Sequence, residues 1–285
     1  MNSINTQQEV EVEKSFFGII VHSFFIIPFL IAVFCVLLFA AVNLLTSEKR
    51  TAYDYLEDVK IGGLTKRWQG AFELSKILAN SKIITQDKRF SFELIKVFQQ
   101  SVHDDNRVRQ YLALAMGRTG SPQFLNPLLE GLKGEKEENL AALIYALGML
   151  KQKQAAGSLY EYVEHPNALI RSVSIVALGN IADLNSKAVI QKALNDSEPN
   201  VQWGAAISLA QMQDSSGKEI LLKLLNRKYL SQFPEVDSDE QNNLILAAIE
   251  ASSKFNDEAL NNKIKQLAES DQNMNVRAAA MKIVK

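Results

Sequence analysis

One cysteine, Cys35, serves the whole chain of 285 residues. No disulfide can close within it, and no cysteine-rich metal site can be assembled. Histidine is almost as scarce: His22, His103 and His165 stand far apart. With them go H-E-x-x-H and Cys–His arrangements, and neither G-x-S-x-G nor a phosphate-cradling Gly-rich loop is present. Neither sign of charge is in excess. The 31 Lys and Arg against 32 Asp and Glu leave a net charge of −1, which argues against nucleic-acid binding through clustered positive charge. The paired acids Asp104-Asp105 and Glu137-Glu138 fall at helix starts, where capping and the helix dipole account for them. Glu235, Asp237 and Asp239 lack the glycine and the distant glutamate of a calcium loop. The sequence therefore predicts no catalytic residue, no cofactor and no metal.

What the chain does contain begins with an apolar run. Residues Phe16 to Leu45 carry no Asp, Glu, Lys or Arg. As a helix they would reach about 45 Å, against a hydrocarbon core of roughly 30 Å, enough for one span and too little for two. A cleaved signal peptide is the rival reading. Its apolar region would be shorter, and the stretch ahead of this one is acidic (Glu9, Glu11, Glu13) with Lys14 alone. The boundaries read as a polar tail over 1–15, a membrane helix over 16–46 and a repeat domain over 47–285. Pro28 invites a kink, and Ala32, Ala40 and Ala41 would let another membrane helix pack closely. Lys49, Arg50, Lys60, Lys66 and Arg67 follow the run while only Lys14 precedes it. The positive-inside rule then places the repeats in the cytoplasm of a single-pass protein.

After the span, small residues recur at a fixed interval. Gly117, Gly148 and Gly179 are 31 residues apart, and the next step lands on Ala210. Each is preceded by a small residue and a large apolar one: Ala115-Met116, Ala146-Leu147, Ala177-Leu178, Ser208-Leu209. Such a period marks stacked supersecondary units. Between these points apolar residues recur at i, i+3, i+4 and i+7, as in Phe124, Leu125, Leu128, Leu129 and Leu132, a helical stripe. No segment alternates like a half-buried strand, so the fold is all-α. The frame extends to Ser75 and Ser253 if insertions lie near 81–89 and 227–239.

Asp105-Asn106-Arg107-Val108-Arg109 with Ala115-Met116-Gly117, Ile170-Arg171 with Ala177-Leu178-Gly179, and Asp271 with Val276-Arg277-Ala278-Ala279-Ala280 resemble the HEAT repeat family, in particular the short HEAT-like repeats of phycobilisome lyases. The resemblance covers about residues 50–285. It implies a right-handed α-solenoid of about seven helix pairs whose second helices line the concave side. It also implies an Asp–Arg ladder between units, with Arg67, Arg109, Arg171 and Arg277 as rungs, interrupted at Leu140 and Gln202. It implies no lyase activity, since fold does not carry function and the repeats hold no cysteine for a pigment.

In this frame the positions seven and three residues before each small residue would face the concave groove. They hold Trp68 and Phe72, Gln110 and Leu114, Ala141 and Tyr145, Ser172 and Val176, Trp203 and Ile207, Leu246 and Glu250. Read as a groove, the apolar members Trp68, Phe72, Leu114, Tyr145, Val176, Trp203 and Ile207 form a partner-binding strip for an amphipathic helix or an extended peptide. Read one position out of phase, they are core between layers. Two functions follow. One is a membrane-anchored scaffold or adaptor that presents this surface to another protein. The other is an accessory subunit of a membrane complex (a transporter, a protease or secretion machinery) held through its membrane helix. In both, the partners are a protein and the lipid bilayer.

Overall fold

A computed structural model describes residues 22–46, 50–79 and 87–284. The expected tail over 1–15, the beginning of the apolar run and residues 81–86 of the first insertion lie outside the described residues. The chain divides into two compact units, Met1–Arg50 and Thr51–Lys285.

In the first unit a π-type turn, His22–Ile26, leads into helix α1, Ile27–Thr46. Pro28 is the second residue of α1. A proline has no N–H to give to the preceding turn, and the change from π to α spacing falls directly before it. No residue from Phe24 to Val42 is buried, and this stretch is long and apolar enough to cross a membrane.

The second unit is helical throughout its described residues, with no strand. Helices α2 (Ala52–Ile61) and α3 (Leu64–Leu78) form the first pair, turned by Gly62-Gly63. Helices α4 (Lys88–Gln100) and α5 (Asn106–Arg118) form the second, α6 (Leu125–Leu132) and α7 (Glu137–Leu150) the third. In the fourth, a short α8 (Ala156–Leu159) flanked by 3₁₀ turns precedes α9 (Ala168–Ile181). Helices α10 (Lys187–Lys192) and α11 (Pro199–Gln211) make the fifth. The sixth holds α12 (Lys218–Leu224), the four-residue α13 (Arg227–Leu230) and α14 (Ser238–Ser252), and the seventh α15 (Glu258–Ser270) and α16 (Met274–Val284). The described residues thus hold seven helix pairs.

Local chemistry sets the helix starts. Thr51 and Asp54 form a capping box, and Asp87, Asp105, Asn167, Asp237 and Asp257 accept from backbone N–H groups of the first turns that follow them. Pro199 occupies the first position of α11, where a missing N–H costs little. Asp237 thus serves as the cap of α14.

The second helices stack on one another in sequence order, α3 on α5, α5 on α7, α7 on α9, α9 on α11, α11 on α14 and α14 on α16. The 31-residue column explains how closely. A Cβ on Gly117 would stand 2.7 Å from Ala146 Cα, one on Gly148 2.7 Å from Ala177 Cα, and one on Gly179 2.4 Å from Ser208 Cβ. Each glycine meets the small residue two places before the next column position, so neighbouring helices cross where neither carries bulk.

The same period reappears in the backbone just beyond. Gly120, Lys151, Ala182 and Gln213, again 31 apart, take left-handed φ values of 65°, 54°, 53° and 57°. The conformation persists where the glycine does not. Opposite results are therefore expected from exchanging Gly and Ala three residues apart. Gly179→Ala gains about 1 kcal/mol of helix propensity but drives a methyl into Ser208, costing roughly 1–3 kcal/mol or more, so it destabilises. Ala182→Gly relieves a left-handed alanine and stabilises by about 1 kcal/mol. Thermal unfolding of the two variants checks this, and a rise in midpoint for both would contradict the close crossing.

Ion pairs hold the units in register. Arg67 reaches Asp104, Arg109 reaches Glu135, and Arg171 clasps Asp196 through two hydrogen bonds of 2.8 Å, each time from a second helix to the inter-helix turn of the next unit. At the interruptions other groups cross. Asn167 donates to Glu137 (2.7 Å) beside the Leu140 rung, and Gln202 turns back to its own turn, donating to Asp196 O (2.7 Å). Arg277 likewise serves its own unit, donating to Asp271 O. The sixth junction is closed from the insertion, where Arg227 donates twice to Asp271 at 2.7 Å.

The hydrogen bonds from Arg171 hold the Asp196 carboxyl below its ordinary range. Burial pushes Asp271 up, but the hydrogen bonds from Arg227 and the Asn273 N–H outweigh it, and the net shift is downward. A carboxylate whose folded pKa is depressed stabilises fully above its unfolded value and stops doing so as pH falls through the folded one. The melting temperature should therefore fall as pH drops below about 4. Arg171→Gln should make that fall shallower; an unchanged acid limb would remove these pairs as its cause.

Candidate functional site

The face of the second helices carries the predicted strip. Trp68, Phe72, Leu114, Val176 and Ile207 are half-buried on it, and Tyr145 is 40% exposed. Trp203 departs from the column, being only 2% exposed. Phe233 meets it edge-on at 5.0 Å, Tyr229 at 6.4 Å, and its Nε1 donates to Tyr229 Oη at 3.2 Å. The reading of Trp203 as a groove residue is corrected to core. The physical reason is the second insertion, which the sequence presents as polar and acidic. Its Tyr229, Leu230, Phe233 and Val236 pack over the tryptophan as part of the C-terminal core. The i, i+4 spacing of Tyr229 and Phe233 was the available signal.

The ends of the strip differ from its middle. On α3 the aromatic faces are covered by cations, the Arg107 guanidinium lying 4.7 Å from the Trp68 ring and Lys76 Nζ 4.6 Å from that of Phe72. Phe72 also meets Tyr111 edge-on at 5.1 Å, a partner absent from the predicted column. On α7, α9 and α11 the half-buried side chains in the middle of the helices include Ala141, Ala142, Ser172, Val173, Val176 and Ile207, while Met149, Ala168, Asn180, Pro199 and Gln202 lie half-buried toward the helix ends. Arg171 is the one charged residue of α9 and is turned into the ladder, and α11 has no charged residue. Gly204 adjoins this floor, since a Cβ there would stand 3.3 Å from Val176 Cγ2. Apart from Glu137 and Glu138 in the first turn of α7, and Arg171 in the ladder, the central three second helices carry no charge, and they present a largely apolar surface with Tyr145 exposed on it.

Among the described residues no group of three or more His, Cys, Asp or Glu side chains could hold a metal ion. His165 is absorbed into a turn, its Nδ1 accepting from Asn167 N at 3.1 Å. The depression bounded by Val163, Glu164, Arg171, Val189, Lys192 and Asp196 is lined by charges already paired with one another.

Stacked helix pairs with a small-residue seam and an Arg–acid ladder define a helical-repeat protein. Residues 93–178 and 158–231 match the HEAT repeats family. No match was found among curated proteins. In solved structures the chain is similar to the complex of CpcE and CpcF of phycocyanin lyase from Nostoc sp. PCC7120. The identity is 21% over 84% of this chain and 96% of that one, with a TM-score of 0.55. Human deoxyhypusine hydroxylase in complex with glycerol also matches, at 16% identity over 82% and 95% of the two chains, but with a TM-score of 0.35 it carries no argument. Together the repeat match and the likeness to the lyase complex support a HEAT-repeat family, and at this identity the likeness speaks for the fold alone.

Proposed function

We propose that this chain is a membrane-anchored scaffold. Helix α1 tethers it as a single span, and the second-helix face of the repeats receives a helical or extended segment of another protein. The observation that carries the reading is the apolar, nearly charge-free surface of α7, α9 and α11. A repeat protein keeps such a surface where something covers it, and Tyr145 at its edge is the residue type favoured as an anchor. Tethering raises the effective concentration of the surface near a membrane partner, so a modest affinity suffices. The cations that follow the span support a cytoplasmic side for the repeats under the positive-inside rule.

The alternative is an accessory subunit held through α1, where Ala32, Ala40 and Ala41 would pack against another membrane helix. Its support is that no residue of Phe24–Val42 is buried within its own unit. One experiment separates the two. A photo-crosslinking residue at position 145 is expected to give a discrete adduct in native membranes. Val176→Glu should abolish it, exchange of α1 for an unrelated apolar helix should leave it, and salt should change it little because the strip has few charges. Loss with the exchanged span and indifference to Val176→Glu would favour the alternative.

A further inference from the structure

The first two helix pairs carry a second unusual surface, distinct from the strip. Three large apolar side chains stand almost free there: Ile61 is 76% exposed, Leu64 75% and Phe92 67%. They sit among cations. On α4, Lys88, Arg89, Phe92 and Lys96 share the exposed face, as their near-helical spacing requires. Ile61 and Phe92 line one open depression together with Lys60, Arg89, Lys96 and Gln100. Of the nearby acids, Asp87 accepts from Tyr53 Oη at 2.7 Å and from the Arg89 and Phe90 N–H groups, and two more are paired with cations. Glu93 is shared between Lys60 and Arg89, each at 3.3 Å, and Glu57 holds Lys60 at 3.0 Å. Lys66, Lys88 and Lys96 make no ion pair among the described residues.

We infer that this surface rests on the headgroups of an anionic lipid bilayer, with Ile61, Leu64 and Phe92 entering the interface and Lys66, Lys88, Arg89 and Lys96 meeting the lipid phosphates. Three observations select a lipid surface. The uncompensated charge is positive, which complements anionic headgroups. The apolar side chains stand singly among the cations, on a helix and on a turn, in the mixture that interfacial segments use. Only residues 47–51 lie between α1 and α2 in the chain, so a bilayer crossed by α1 is presented to this surface at high effective concentration. The inference rests on the anchoring role proposed for α1 and adds a second, charge-dependent contact with the same membrane. Such a contact would restrain the first repeats while leaving the strip on α7, α9 and α11 open to a protein.

The test uses the full chain in lipid nanodiscs, with Cys35→Ser and a fluorophore placed through Gln99→Cys, beside the depression. A control carries the fluorophore through Glu219→Cys, an exposed site in the sixth pair. Headgroup-linked nitroxide lipid is the quencher. Quenching at position 99 is expected to be several-fold stronger in discs containing phosphatidylglycerol than in phosphatidylcholine alone, with the control unquenched in both. It should vanish when salt rises from about 0.1 M to about 1 M, which shortens the screening length from about 10 Å to about 3 Å. Lys66→Glu, Lys88→Glu and Lys96→Glu combined should abolish it. The lipid and salt arms keep the native cations, so they decide the matter even if that variant folds poorly. Weak quenching in both lipids, as an acidic protein partner would give, or quenching indifferent to lipid charge and salt, overturns the inference. A chain that enters the disc without quenching overturns this contact alone; one that fails to enter overturns the anchor, and this contact with it.

Discussion

Replacing Arg109 with methionine is expected to destabilise the repeat unit by about 3–5 kcal/mol. The side chain is 5% exposed and that of its partner Glu135 3%. The guanidinium donates to Glu135, to Phe98 O at 3.0 Å and to Ser101 Oγ at 3.3 Å, and lies 4.5 Å from the centre of the Phe98 ring. Removing it leaves the Glu135 carboxylate buried with Asn139 Nδ2 at 2.9 Å as its remaining side-chain donor. The penalty comes from that stranded charge more than from the lost attraction, so Arg109→Met with Glu135→Met should recover most of the stability. Arg107, two residues away, provides the contrast. Its pair with Asp105 is solvent-exposed on the arginine side, and Arg107→Met should change stability by less than about 1 kcal/mol. Thermal or urea unfolding of the three variants in detergent measures all of this. Equal small losses for the two single arginine variants would show that the buried pair does not hold the second and third units together.

The second large effect is expected at Trp203. Trp203→Ala should cost about 3–5 kcal/mol, because the indole is enclosed by Tyr229 and Phe233 and its removal opens a cavity under the insertion. Tyr145→Ala should change stability by no more than about 0.5 kcal/mol, as an exposed substitution does, while reducing partner capture. The two residues stand in the two neighbouring slots of the predicted strip, and the same kind of substitution separates a packing role from a binding one. If Tyr145→Ala unfolds the protein as Trp203→Ala does, the strip is core and the scaffold reading loses its carrying observation.

Much of the fold was legible because its causes repeat. Gly117, Gly148 and Gly179 announce a seam between stacked helices, and the seam is where a Cβ would strike Ala146, Ala177 and Ser208. Asp105 and Asn167 announce helix starts and cap them. What repeats less regularly was read less well. The ladder arginines were visible, but three of their acceptors lie 25 to 37 residues onward, in the next unit's turn, and one of them, Asp196, stands a residue off the 31-residue interval that Asp104 and Glu135 keep. Arg227, which closes the sixth junction, sits inside an insertion and outside any frame. The left-handed column was hidden because Lys151, Ala182 and Gln213 are not the residues that such a backbone selects.

The sequence by itself determined that this protein is all-α, that its helices come in stacked pairs with a small-residue seam, and that one apolar helix is long enough to span a bilayer. These follow from local physics: the helical spacing of apolar residues, caps, and a length to be compared with a hydrocarbon thickness. Only the tertiary structure decided which members of one column face outward. Tyr145 and Trp203 are both aromatic members of the predicted strip, three and seven residues before a small position. The side chains of 229–236, folding back from a later unit, bury the tryptophan, and no comparable segment covers the tyrosine. Exposure depends on what distant segments cover, and a repeat period carries no information about the segments that interrupt it.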